Sequence, residues 1–115
     1  MGDIRVITTP ITKDELRQIA KERFGDMVKA VVDIDKKIMA LGGDLHADEE
    51  ALLLQHGSEQ QNLWGINIYP DLPENEWLEF DSMINIRPSQ NNRSHSVEDA
   101  QIRDQITEMV KKLVL

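Results

Sequence analysis

The stretch Met27–Leu41, M-V-K-A-V-V-D-I-D-K-K-I-M-A-L, decides the fold. Two apolar runs, residues 27–34 and 37–41, are joined by Asp35 and Lys36, a spacing that predicts a tight antiparallel hairpin. Side chains alternate across a strand, so Val28, Ala30, Val32 and Ile34 point one way and Met27, Lys29, Val31 and Asp33 the other. The first set is a core face. The turn has no glycine, which leaves its type open.

Upstream, Ile4 to Thr8 is rich in β-branched residues and reads as a short edge strand ending before Pro10. Thr12 with Glu15 forms a T-x-x-E capping box, Ile11 can staple onto Leu16, and Leu16, Ile19, Ala20 and Phe24 make the apolar stripe of a helix that Gly25 stops. Downstream, Gly42 and Gly43 break the second hairpin strand. A short helix is expected from Glu49 to His56, with Asp48 as its cap and Glu49 and Glu50 favoured by the dipole of its first turn. Leu63 to Tyr69 places Trp64, Ile66 and Ile68 opposite Gly65, Asn67 and Tyr69, the alternation of a central strand.

Glu76 to Arg87 reads as the antiparallel neighbour of that strand, with Leu78, Phe80, Ser82, Ile84 and Ile86 on one face and Glu79, Asp81, Met83, Asn85 and Arg87 on the other. Pro88 closes it, residues 89–95 form a wholly polar loop, and Ser96 with Asp99 signals the start of a last helix bearing Ile102, Ile106, Met109, Val110 and Leu113. The order βαββαββα predicts one α+β domain over residues 1–115, a mostly antiparallel sheet of about four or five strands with three helices packed mainly on one face.

The segments at 25–34 (G-D-M-V-K-A-V-V-D-I), 42–54 (G-G-D-L-H-A-D-E-E-A-L-L-L), 63–70 (L-W-G-I-N-I-Y-P) and 80–94 (F-D-S-M-I-N-I-R-P-S-Q-N-N-R-S) resemble a family of short prokaryotic proteins known as a domain of unknown function. The resemblance covers nearly the whole chain. It implies a self-standing domain and brings no activity, cofactor or catalytic residue with it.

Composition narrows the function classes. The 115 residues are 40% hydrophobic and 30% charged, as in a soluble globular domain, and no apolar run approaches the ~18 residues of a membrane helix. Residues 1–9 carry no basic segment followed by an apolar one, so the expectation is a cytoplasmic protein. There is no cysteine, which removes disulfides, thiol nucleophiles and cysteine-ligated metals. The formal charge is -8, and Ile38 to Ile86 contains no Lys or Arg, so nucleic acid is not an expected partner.

Two readings of the polar residues stay open. Asn and Asp are poor strand formers, yet Asn67 and Tyr69 on one strand face Asp81, Asn85 and Arg87 on the next. One reading is a shallow site in which Arg87 and Arg93 clamp a phosphate or carboxylate while Asn67, Tyr69 and Asn85 orient it. The other is a polar ladder or dimer contact in which Asp81 pairs with Arg87. His46, Asp81 and His95 are the candidates for proton transfer. His46 and His56 bracket a helix and are expected to lie more than ~10 Å apart, so no shared metal site is predicted. No Gly-rich phosphate loop or nucleophile elbow is present. These features suggest an interaction or assembly module that forms a homo-oligomer, or alternatively a small-molecule enzyme or sensor with an anionic ligand.

Overall fold

The structure, a computed structural model, describes residues 4–115. Its strands are β1 (Arg5–Ile7), β2 (Val28–Asp33), β3 (Ile38–Leu41), β4 (Leu63–Ile68) and β5 (Leu78–Glu79), and its helices are α1 (Lys13–Arg23), α2 (His46–Gln55) and α3 (Ala100–Leu113). The strands form one antiparallel sheet in the order β1-β3-β2-β4-β5. The α+β class and the βαββαββα order are as expected from the sequence.

The hairpin is the centre of the sheet, with Val31 opposite Ala40 and Val32 opposite Met39. Its glycine-free turn works because Asp33 does the turning: Oδ1 accepts from the amides of Asp35 and Lys36, both at 2.9 Å, and Lys37 takes the left-handed conformation at φ 58°. The Thr12 capping box at the start of α1 forms as predicted.

The two faces are covered differently. Leu16 and Ala20 of α1 and Ile106 and Val110 of α3 pack with Val28, Ala30, Val32, Trp64 and Ile66 in the larger core. On the opposite face the buried cluster is small, Val31, Ala40, Leu53 and Leu63, and Leu53 is the contribution of α2. Two helices thus share one face and the third takes the other.

Three local expectations are corrected. The short helix begins at His46, not Glu49; its N-cap is Leu45 with no side-chain cap, so Asp48 lies inside the first turn. α3 begins at Ala100, and its cap is Asp99, which accepts from the Gln101 amide at 2.8 Å, rather than Ser96. The largest difference concerns residues 80–87. β5 ends at Glu79, and the chain turns through one-turn 3-10 helices at Met83–Asn85 and Pro88–Gln90.

Local hydrogen bonds explain why the strand stops. Ser82 donates its amide to the His95 carbonyl at 3.0 Å and its hydroxyl caps the Ile84 amide at 3.3 Å. The Asn85 side chain then bonds both backbone groups of Gly65: the Gly65 amide donates to Oδ1 at 2.8 Å, and Nδ2 donates to the Gly65 carbonyl at 3.0 Å. Asn85 does beside β4 what a longer β5 would have done. The crossing is so close that a Cβ on Gly65 would stand 2.5 Å from Ser82 Cβ, which requires glycine there.

Candidate functional site

An open cleft of about 300 Å³ lies on the α2 face, where the start of α2 meets β4 and the Met83–Asn85 turn. Lys29, His46, Asn67, Asp81, Ser82 and His95 supply its polar lining, and Leu45, Ala47, Met83 and Ile84 its apolar part. Asn67 comes from β4 and Lys29 from the register-matched position of β2. His46 opens α2, and Asp81 and His95 stand on the chain leaving β5 and returning toward α3.

The floor is fixed by hydrogen bonds. Asn67 Nδ2 donates to Glu79 Oε1 at 2.8 Å and, at 3.4 Å, to the Asp81 carbonyl. Both partners are acceptors, so the orientation of the amide is determined and Oδ1 cannot exchange places with Nδ2. Asn67 is only 6% exposed, and its Oδ1 has no hydrogen-bond partner among the described residues. Buried acceptors are nearly always satisfied; Oδ1 is closed off from solvent, and the Asn67 side chain neighbours the His46 ring, whose protonated form it favours.

His46 is buried beside it, with Nε2 2.8 Å from the Ile66 carbonyl. A carbonyl only accepts, so Nε2 carries the proton and, in the neutral ring, Nδ1 is a bare acceptor. Burial holds the imidazole pKa below its ordinary value, with Lys29 acting in the same direction, whereas the Ile66 carbonyl, Asp81 and Asn67 oppose the shift. At the mouth, His95 Nδ1 and Asp81 Oδ1 form a half-exposed pair at 3.5 Å.

The three candidates for proton transfer, His46, Asp81 and His95, therefore line one cleft with Asn67. Tyr69 lies one residue beyond β4 and donates its hydroxyl to Glu79 at 3.4 Å, outside the lining. Asn85 is bound to Gly65 and the His95 carbonyl and serves the turn. Arg87 is buried: its guanidinium donates to the Gln60 and Leu63 carbonyls and stacks 4.0 Å from the Trp64 ring centroid. The expected pairing of Asp81 with Arg87 is replaced by Asp81 with His95. Arg93 is exposed on the loop, where its backbone amide bonds Glu98, and only Arg87 of the two arginines is buried. Asn92 joins the loop together, its Nδ2 donating to the Asn85 and Ser96 carbonyls at 2.7 Å each.

His56 caps the far end of α2 and bonds the Leu52 carbonyl. Among the described residues no group of three His, Asp or Glu side chains is placed to hold a metal ion. No described helix is long and apolar enough to cross a membrane.

Two further residues bear on this region. Lys29 was visible as the one cation on the less apolar side of the hairpin. Glu49 sits under α2, fully buried, its Oε2 accepting from the Gly43 amide at 2.9 Å and its Oε1 without a partner. Burial pushes its carboxyl up to about 9, so it is protonated at neutral pH. An acid in the first turn of a helix gives no sign in sequence that it faces inward.

Fold and cleft together define an α+β domain with a polar cleft beneath a short helix. The family model described as "Protein of unknown function (DUF5674)" matches residues 5–113, and the chain belongs to that family. No curated protein and no solved structure matches it.

Proposed function

We propose that the chain binds a small polar molecule in the α2 cleft, through Asn67, His46 and the Asp81 and His95 pair. The observation that carries this reading is the convergence of Lys29, His46, Asp81 and His95 on one open cleft whose floor is fixed by the Asn67 amide. A volume of about 300 Å³ suits a ligand of metabolite size. The neutral His46 and the carboxylate-paired His95 supply proton-transfer groups of two kinds, which fits either a sensor or an enzyme working by acid–base chemistry. The proposal includes a cytoplasmic location, since a cysteine-free chain needs no oxidising compartment.

The test is a thermal-shift screen of polar metabolites on wild-type protein and on Ala47→Arg. Ala47 is exposed on α2 and lines the cleft, so arginine there obstructs it without entering the core. Ligands should raise the melting point of the wild type and not of the variant. Equal shifts in both would place the binding elsewhere.

A second reading is supported by a different observation. Met83 is 69% exposed and Leu45 55% exposed at the rim, and β1 is a sheet edge. Self-association is the corresponding proposal. The less apolar sheet face is covered by α2, so β1 and the rim are the surfaces left for it. Light scattering of wild type and Met83→Arg decides: a monomer at every concentration, unchanged by the substitution, removes this reading.

A further inference from the structure

We propose that the α2 cleft takes a zwitterion, a free amino acid with a short apolar side chain, its carboxylate at Lys29 and its ammonium at Asp81. This rests on the cleft being a ligand site and adds the class of molecule that it takes.

The lining carries two charges of opposite sign on separate walls. Lys29 of β2 stands directly opposite Asn67 of β4, and Asn67 directly opposite Glu79 of β5, so the three form a row across one face of the sheet. Asp81 follows Glu79 by two residues and lines the same cleft as Lys29. The Asn67 amide between them is spent on Glu79 and on the Asp81 carbonyl, which fixes the floor without neutralising either charge. Lys29 joins none of the ion pairs among the described residues, and its ammonium lies 5.5 Å from the Phe24 ring centroid. Asp81 has only His95, at 3.5 Å, and that pair is ionic only when the imidazole is protonated. Both charges reach the His46 ring, Lys29 opposing its protonation and Asp81 favouring it, so they look onto one side chain within the cleft and yet do not pair with each other.

A ligand of single charge meets one of these groups and opposes the other. A plain carboxylate gains Lys29 and is repelled by Asp81, and a plain ammonium does the reverse. A zwitterion pairs with both. The walls also suit its two ends. Lys29 acts on Glu49 in the first turn of α2 as well as on His46, which puts its ammonium beside the start of that helix. That helix has no side-chain cap, so its positive dipole end favours a carboxylate on the same wall. Leu45, Ala47, Met83 and Ile84 form the apolar part of the cleft, and Leu45 and Met83 are both more than half exposed. An apolar side chain on the ligand would cover them.

The experiment is an NMR titration of the ¹⁵N-labelled full chain at neutral pH with three matched probes: norvaline, valerate, which lacks its amino group, and n-butylammonium, which lacks its carboxylate. The expected result is that norvaline shifts the backbone amides of residues 45–47 and 81–84 and binds at least about tenfold more tightly than either single-charge probe. Lys29→Gln and Asp81→Asn should each weaken norvaline and abolish one discrimination: valerate should bind Asp81→Asn as well as norvaline does, and n-butylammonium should do so with Lys29→Gln. A mere loss of structure would not redirect preference in this way, and Lys29→Arg, which keeps the charge, should retain norvaline binding. Ala47→Trp, which fills the cleft without adding charge, should block it. If valerate or n-butylammonium matches norvaline on the wild type, and Ala47→Trp blocks both, the zwitterion assignment is overturned while the cleft survives as a site. If no probe moves these signals the assignment is likewise overturned, and the cleft is then judged by the metabolite screen alone. If norvaline binds and Ala47→Trp leaves its shifts unchanged, the cleft reading falls together with the inference.

Discussion

The α1 and α3 face of the sheet is filled with apolar side chains such as Leu16, Val32, Ile66, Ile106 and Val110. On the α2 face, Val31, Ala40, Leu53 and Leu63 share the space with Asp33, His46, Glu49 and Asn67, all buried. Apolar burial stabilises by roughly 25 cal/mol per Å², whereas each buried polar group costs free energy unless it is hydrogen-bonded. Asp33 is fully used, by the turn amides and by the Ser58 hydroxyl at 2.6 Å. Glu49 and Asn67 each keep one unpartnered oxygen. Both oxygens are closed off from solvent, although Asn67 is a lining residue of the cleft and Glu49 is not. One face holds the molecule together, and the other retains polar groups that stability alone does not favour.

The largest effect should come from breaking the apolar face. Ile66→Ala removes a fully buried side chain from the main core and should cost about 2–5 kcal/mol in denaturant unfolding. A loss below about 1 kcal/mol would mean that this face is not the principal source of stability.

Glu49 tests the polar face next. The native state holds its proton up to about pH 9, whereas the unfolded chain releases it near the ordinary value of 4.5, so the unfolded state binds fewer protons in between and stability falls as pH rises. Glu49→Gln cannot ionise. The stability of wild type relative to this variant should therefore fall by on the order of 4 kcal/mol between pH 5 and pH 8, at about 1.4 kcal/mol per unit. Comparing one variant at two pH values cancels the fixed cost of the amide. A difference that does not change with pH would show that Glu49 is ionised in the native state.

Asn85→Ala is expected to cost about 2 kcal/mol, because it removes both side-chain bonds to Gly65 and leaves that backbone amide and carbonyl unsatisfied. It should also loosen the Asp81 and His95 side of the cleft, since Asn85 bonds the His95 carbonyl. Hydrogen exchange at Gly65 and Ser82 measures this directly, and unchanged protection at both would count against the role given to Asn85.

How far these features were legible follows from the range of the interactions that make them. The hairpin, the Thr12 capping box and the β4 alternation depend on neighbours within a few residues, and each formed as read. Residues 80–87 alternate like a strand, but Ser82 and Asn85 satisfy the backbone through their side chains, and that competition is settled by Gly65, some 20 residues earlier in the chain. Glycine inside a strand was the available signal of a close crossing. Of the candidate site residues, His46, Asn67, Asp81 and His95 meet in the cleft, while Arg87 is committed to Trp64 and two carbonyls that no spacing rule connects to it. The inward turn of Glu49 depends on which face of the sheet α2 covers, which the periodicity of a ten-residue helix with leucines on several sides does not specify.

The most direct test of the cleft as the working part of this protein is a crystal structure grown with the strongest ligand from the thermal-shift screen. The account predicts ligand density in the cleft within hydrogen-bonding distance of Asp81 or His95. Density at another surface, with the cleft holding only water, would contradict it.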